Sequence, residues 1–232
     1  MIRLPGRCPN GTRKTLEERL CAGLLALAAI GGLIMSDMAL AIDLRANVVA
    51  QSDSEVTLQY ALQNSTAGRI YAFDSLLYFD SKGATKLAET GAYVFVDGER
   101  TVRVVRGIVA PPMFMSVSRR PPIVGSPVEP GASKRGTIKL ALPLSEANPY
   151  FPPQECDPKA ARPIARLLLQ IGWVEHRQET VTGKLVVDGN ELVRMTGGWG
   201  TPVQRVAQTE VAVRGVGLCT HAAPFDRPQL TQ

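Results

Sequence analysis

Between residues 42 and 214 apolar and polar side chains trade places with a period of two, and helical periodicity is almost absent. Val56, Leu58, Tyr60 and Leu62 alternate with Thr57, Gln59, Ala61 and Gln63, which turns one set toward a core and the other toward water along a single strand. The polar run Asn64-Ser65-Thr66-Ala67-Gly68 then ends it. Residues 44–48 form a preceding strand across a polar turn at 51–55, and 70–73, 76–79, 93–96, 101–105, 137–142, 164–174, 184–187, 191–195 and 206–214 read as further strands. Asp97-Gly98 and Asp188-Gly189 each stand between two such runs, and this dipeptide accepts the positive φ that a two-residue hairpin turn demands. Short strands at this spacing predict an all-β fold, a sandwich or barrel of antiparallel strands rather than an α/β enzyme.

Two stretches interrupt the pattern. Residues 110–131 carry Pro111, Pro112, Pro121, Pro122, Pro127 and Pro130; a proline has no N–H to give a ladder, so this segment is expected at an edge or as an extended surface connection. Residues 143–163, which include Cys156, are the other. Both read as long Pro-rich connections lying over a sandwich.

The first 41 residues have a different character. Arg3, Arg7, Arg13, Lys14 and Arg19 precede an uncharged run over 20–35, and Ala39-Leu40-Ala41 supplies the small-x-small pattern that a signal peptidase reads. The run is 16 residues long, short of the roughly 20 that cross a bilayer core as a helix. Residues 1–41 are therefore read as a signal peptide with a helical apolar segment, the mature chain starting at Ile42 in the periplasm or outside the cell. The alternative is an anchor in the inner membrane over 20–42, in which 38–42 extend the run past Asp37 at a cost of about 3 kcal/mol.

Without the leader 191 residues remain, and the net charge falls from +5 to about +3. That excess of positive charge is too small to argue for a nucleic-acid partner. Cys156 and Cys219 are the cysteines left, and a lone pair in an oxidising compartment forms one disulfide. Such a bond closes a loop of roughly sixty residues, worth about 4 kcal/mol in the chain-entropy model. The competing reading, free thiols or a redox pair, finds no C-x-x-C spacing to support it.

The strand over 56–62 ending in Asn64-Ser65, the run Pro111-Pro112-Met113-Phe114, and Val128-Glu129-Pro130-Gly131 leading into 137–142 resemble the immunoglobulin-like domains of bacterial exported proteins, the periplasmic pilus chaperones among them. The resemblance covers about half of the mature chain. It implies an immunoglobulin-like β-sandwich and, as an alternative function, assembly chaperoning by strand donation. Of the paired basic anchor residues of that family, Arg119-Arg120 beside Met113, Met115 and Val117 is the nearest counterpart.

Motifs for chemistry are scarce. His176 and His221 form no H-x-x-x-H or H-E-x-x-H arrangement, and no G-x-S-x-G or S-x-x-K occurs. Glu175-His176 reads as two polar residues where a strand leaves the core. No catalytic residue, metal ligand or cofactor is expected. The aromatic residues divide: Trp173 belongs in the core, whereas Trp199, in Gly197-Gly198-Trp199-Gly200, stands apart from any apolar strand. A tryptophan on a glycine-rich turn offers an apolar face to a partner, or caps the open end of a sandwich. Met113, Phe114 and Met115 form a second candidate contact surface, with Arg119 and Arg120 as its polar rim.

The expectation is thus a signal peptide at 1–41, one immunoglobulin-like sandwich domain at 42–222 and a disordered tail at 223–232. Its expected function is non-catalytic: binding another exported or envelope protein, with no nucleic acid, and a membrane only if the leader stays uncleaved. Strand donation is the alternative, and a carbohydrate-binding module a weaker one.

Overall fold

The computed structural model describes residues 42–98, 100–111, 122–150, 157–177, 181–195 and 204–219, all within one compact unit, Leu40–Gln232. The leader, Met113, Phe114, Met115, Arg119, Arg120, Cys156, Trp199 and the tail lie outside the described residues.

The described chain is almost wholly strand. In order it forms β1 (Ile42–Gln51), β2 (Glu55–Asn64), β3 (Ile70–Ala72), β4 (Leu76–Phe79), β5 (Thr85–Ala88), β6 (Tyr93–Asp97), β7 (Thr101–Arg106), β8 (Val124–Val128) and β9 (Ser133–Ala141). After a single 3₁₀ turn at Pro158–Ala160 come β10 (Arg162–Pro163), β11 (Arg166–Glu175), β12 (Val181–Val187), β13 (Asn190–Met195), β14 (Arg205–Val211) and β15 (Gly217–Leu218). A three-stranded sheet runs β1-β2-β9, and an eight-stranded sheet runs β12-β13-β8-β3-β11-β7-β6 with β14 on the other flank of β11.

The two sheets share one core. Leu58, Tyr60, Leu62 and Ile138 from the smaller sheet pack in one cluster with Val102, Val104, Leu167, Leu169, Ile171 and Trp173 from the larger. The alternation of β2 is the reason: with Leu58, Tyr60 and Leu62 buried, Gln59, Ala61 and Gln63 turn outward. This is the all-β, sandwich-like arrangement that the periodicity predicts. Among the described strands the pairing is antiparallel except at β7·β11, where Thr101 to Arg106 run parallel to Arg166 to Ile171. The long connection between those strands gives the chain room to return in the same direction.

Local expectations fare unevenly. Asp188-Gly189 makes the two-residue turn, with φ of +48° and +81° and Val187 paired to Asn190. Asp97-Gly98 does not. Asp97 pairs with Thr101, so three residues and not two separate the closing pair, and the Asp97 carboxylate binds the Arg103 guanidinium.

The proline-rich segment also departs from expectation. Its second half is β8, which lies inside the large sheet between β13 and β3 with Val124, Gly125, Ser126 and Val128 buried. The proline rule survives locally. β13 pairs only with Val124 and Gly125, while β3 pairs with Ser126, Pro127 and Val128, so exposed Pro127 stands where β8 has a single neighbour. The other connection, 143–163, is stitched into the fold and does not merely lie over it: Leu144 is 1% exposed and pairs with Leu218, and Ala147 pairs with Val94.

Candidate functional site

The candidate contact residues sit on two segments, 112–121 and 196–203, both outside the described residues. What the structure defines is where the chain leaves and re-enters the sheet around them. The first segment follows β7 through Ile108 to Pro111 and returns at Pro122 and Ile123; the second follows Met195 and returns at Gln204.

These four junctions meet in pairs. Gln204 is fully buried, and its carboxamide behaves like one residue of a strand: Nε2 donates to the Ile108 carbonyl at 2.6 Å, and Oε1 accepts from the Ile108 N–H at 2.9 Å. At the other end the Met195 N–H donates to the Ile123 carbonyl at 2.9 Å. The start of one segment is thus fixed to the end of the other, at both bases. Val181, at the head of β12, pairs with Met195 and brings a fifth junction to the same place.

An apolar cluster underlies the junctions. Tyr71, Phe73, Ile108, Val174 and Met195 are buried together, with Ile123, Val181 and Val193 packed against them. Glycine makes the space for Gln204. A Cβ on Gly172 would overlap Gln204 Oε1 and crowd Phe73, and one on Gly107 would come to 3.0 Å of the same oxygen. Gln204 escapes a reading of motifs, yet its imprint is visible in the sequence as Gly172, an isolated glycine in a mostly apolar strand, which marks a close approach.

The polar residues singled out for chemistry have structural partners. The Glu175 carboxylate is 2.7 Å from Arg205, whose guanidinium lies over the buried Trp173 ring at 5.3 Å. His176 turns to Tyr71, with Nδ1 3.2 Å from the Tyr71 hydroxyl, and gives its backbone N–H to Arg69. Glu175 and His176 therefore do not converge. Asp188 accepts from Lys86 Nζ at 2.8 Å and from the Leu87 N–H at 3.1 Å, and these bonds hold its carboxyl below the usual range. Among the described residues no group of three or more His, Cys, Asp or Glu is placed to hold a metal ion.

Asn64, quoted above for the end of its strand, is completely buried and fully bonded: Nδ2 donates to the Gly68 and Val128 carbonyls at 2.9 Å, and Oδ1 accepts from the Thr66 N–H and hydroxyl. It joins the end of β2 to the Val128-to-Gly131 turn. No protein-family model, curated protein or solved structure matches the chain.

Proposed function

We propose that this is an exported, non-catalytic binding protein that engages another envelope or secreted protein through segments 112–121 and 196–203. One observation carries the reading. The two segments richest in unexplained apolar side chains, Met113, Phe114 and Met115 on one and Trp199 on the other, are tied together at both bases by Gln204–Ile108 and Met195–Ile123. Contact residues supplied by neighbouring loops on a rigid sheet are the usual architecture of protein recognition, and aromatic anchors ringed by Arg are what such surfaces use.

The competing readings have less support. Strand donation needs a long open edge with apolar alternation, and β12, an open edge of the large sheet among the described residues, is bulged between Val181 and Gly183. A carbohydrate platform needs a row of exposed rings. Among the described residues Tyr78, 49% exposed, is the one Phe, Tyr or Trp at the surface.

The test compares capture by two proteins. The exported chain and a variant carrying Met113→Ser, Phe114→Ser, Met115→Ser and Trp199→Ala are each cross-linked in the envelope of the native cell. The reading expects a partner that the parent holds and the variant loses, with unchanged thermal unfolding. Equal capture by both, or collapse of the variant's fold, overturns it.

A further inference from the structure

The β6 and β12 edges of the large sheet are treated differently. At one end β6 exchanges backbone hydrogen bonds with Ala147 through Val94. At the other, β12 pairs with β13 on one side and, among the described residues, with no strand on the other, β5 reaching only its Asp188 end through Lys86 and Leu87. Thr182, Gly183 and Lys184 are exposed there, and Val186, at 66%, is the most exposed large apolar side chain among the described residues.

The turn fixes which backbone groups are unused. In a hairpin closed by a two-residue turn with both φ positive, the flanking pair, here Val187 and Asn190, is hydrogen-bonded, and the ladder then alternates. Val187 and Leu185 direct their N–H and C=O toward β13, whereas Val186 and Lys184 direct theirs outward.

We propose that β12 pairs antiparallel with β12 of a second copy of this chain, about a two-fold axis at Leu185. That register sets Lys184 opposite Val186 of the second copy, and Val186 opposite its Lys184, so the outward groups of both copies meet in four backbone hydrogen bonds. The two Leu185 side chains face each other as a non-hydrogen-bonded pair, the closer kind. Each already packs against the buried cluster of Leu77, Val124, Val187 and Leu192, so pairing fuses the two clusters. On the opposite face the stem of Lys184 covers Val186 of the second copy while its ammonium keeps Glu191, at 2.7 Å. Moving the axis by one residue to Lys184 would set two ammonium groups against each other.

The same strand explains why pairing stops at two copies. The bulge before Gly183 ends the regular ladder, and a two-fold contact consumes the β12 edge of both chains, so this contact does not propagate a filament. With so short a ladder the contact belongs to the weak, concentration-dependent class.

Sedimentation velocity on protein purified after expression of the full sequence, from micromolar to millimolar concentration, should show a reversible monomer–dimer shift. Val186→Pro deletes an N–H that the hairpin does not use and should leave a folded monomer at every concentration. Leu185→Cys should give a disulfide-linked dimer on a non-reducing gel, and Val186→Cys should not. A parent that stays monomeric, a dimer that survives V186P, or cross-linking by V186C rather than L185C overturns the proposal; should V186P fail to fold, the two cysteine variants decide. A monomer that instead binds an extended apolar peptide in a V186P-sensitive manner assigns the edge to strand donation and also overturns it.

Discussion

Arg106 Nη1 donates to the Tyr60 hydroxyl at 3.1 Å in a place where each residue is only 2% exposed. The rest of the guanidinium serves backbone carbonyls: Nε that of Gly91 at 2.9 Å, Nη1 also that of Asp74 at 2.7 Å, and Nη2 those of Glu89 and Thr137 at 2.8 and 2.9 Å. One side chain on β7 thereby binds β2 and β9 of the opposite sheet and both ends of the excursion that carries β4 and β5.

Arg106→Lys should consequently be far from conservative. An ammonium has three donors where the guanidinium has five in a fixed fork, so at least two buried acceptors lose their partner. At about 1–3 kcal/mol for each unsatisfied group, the variant should lose roughly 2–6 kcal/mol in denaturant unfolding. A loss below about 1 kcal/mol would show that the network is dispensable.

Burial pushes the Tyr60 hydroxyl up to about 12, Arg106 opposing part of the shift, and burial does the same to Tyr93. Both lie above the value of about 10 for an unfolded tyrosine, so the stability they contribute is complete below about pH 10 and is lost as the pH climbs through 12. Near 1.4 kcal/mol per unit, each contributes up to about 2–3 kcal/mol to that loss. Unfolding curves between about pH 8 and 12 should show it, and Tyr60→Phe should reduce the alkaline loss. An alkaline limb of equal depth in Y60F would refute the assignment.

Gly136 stands opposite Tyr60 on β9, and a Cβ there would overlap the Tyr60 hydroxyl and ring. Gly136→Ala should therefore displace Tyr60 from Arg106 and cost about 1–3 kcal/mol, despite the gain that alanine normally brings to a strand. Thermal unfolding measures the outcome; an unchanged or higher midpoint would mean that the ring moves aside without penalty.

The local parts of this fold are legible in the sequence because their causes are local. The alternation of β2 and the Asp188-Gly189 turn are each decided within a few residues, and both stand in the structure as read. Asp97-Gly98 was less informative because Asp97 is taken by Arg103, six residues on. β8 was hidden by its proline, whose tolerance depends on how far β13 extends along it. The candidate contact residues stand out by composition, but the link between their segments is a bond between Ile108 and Gln204, 96 residues apart, and no periodicity reports it. Arg106 is hidden for the same reason: a basic residue at the end of an apolar run looks exposed until five distant acceptors surround it.

Cys219 is 4% exposed, gives its N–H to Leu144 at 2.8 Å, and has its sulfur 3.7 Å from the carbonyl oxygen of Asp157, the neighbour of Cys156. The expected Cys156–Cys219 disulfide would anchor the 143–163 connection at this point. Exported protein should then resist thiol labelling until reduced, and Cys219→Ser should cost about 4 kcal/mol. Labelling of both thiols in undenatured protein would remove the bond from consideration.

Gln204 offers the sharpest test of how the two candidate segments are held. Gln204→Leu keeps the bulk but strands the buried N–H and C=O of Ile108, at about 1–3 kcal/mol each. Hydrogen exchange at Ile108 should accelerate while the buried amides of β2 stay protected. Gln204→Glu separates the two bonds: the carboxylate still accepts from the Ile108 N–H but faces the Ile108 carbonyl with no proton to give. Its folded pKa should therefore rise above the unfolded value of about 4.3. Protonation restores the missing donor, so this variant should gain stability relative to the parent as the pH falls, the gain being complete below about pH 4. A Q204E protein whose deficit is the same at pH 4 and pH 7 would show that the carboxamide fills space without bridging the segments.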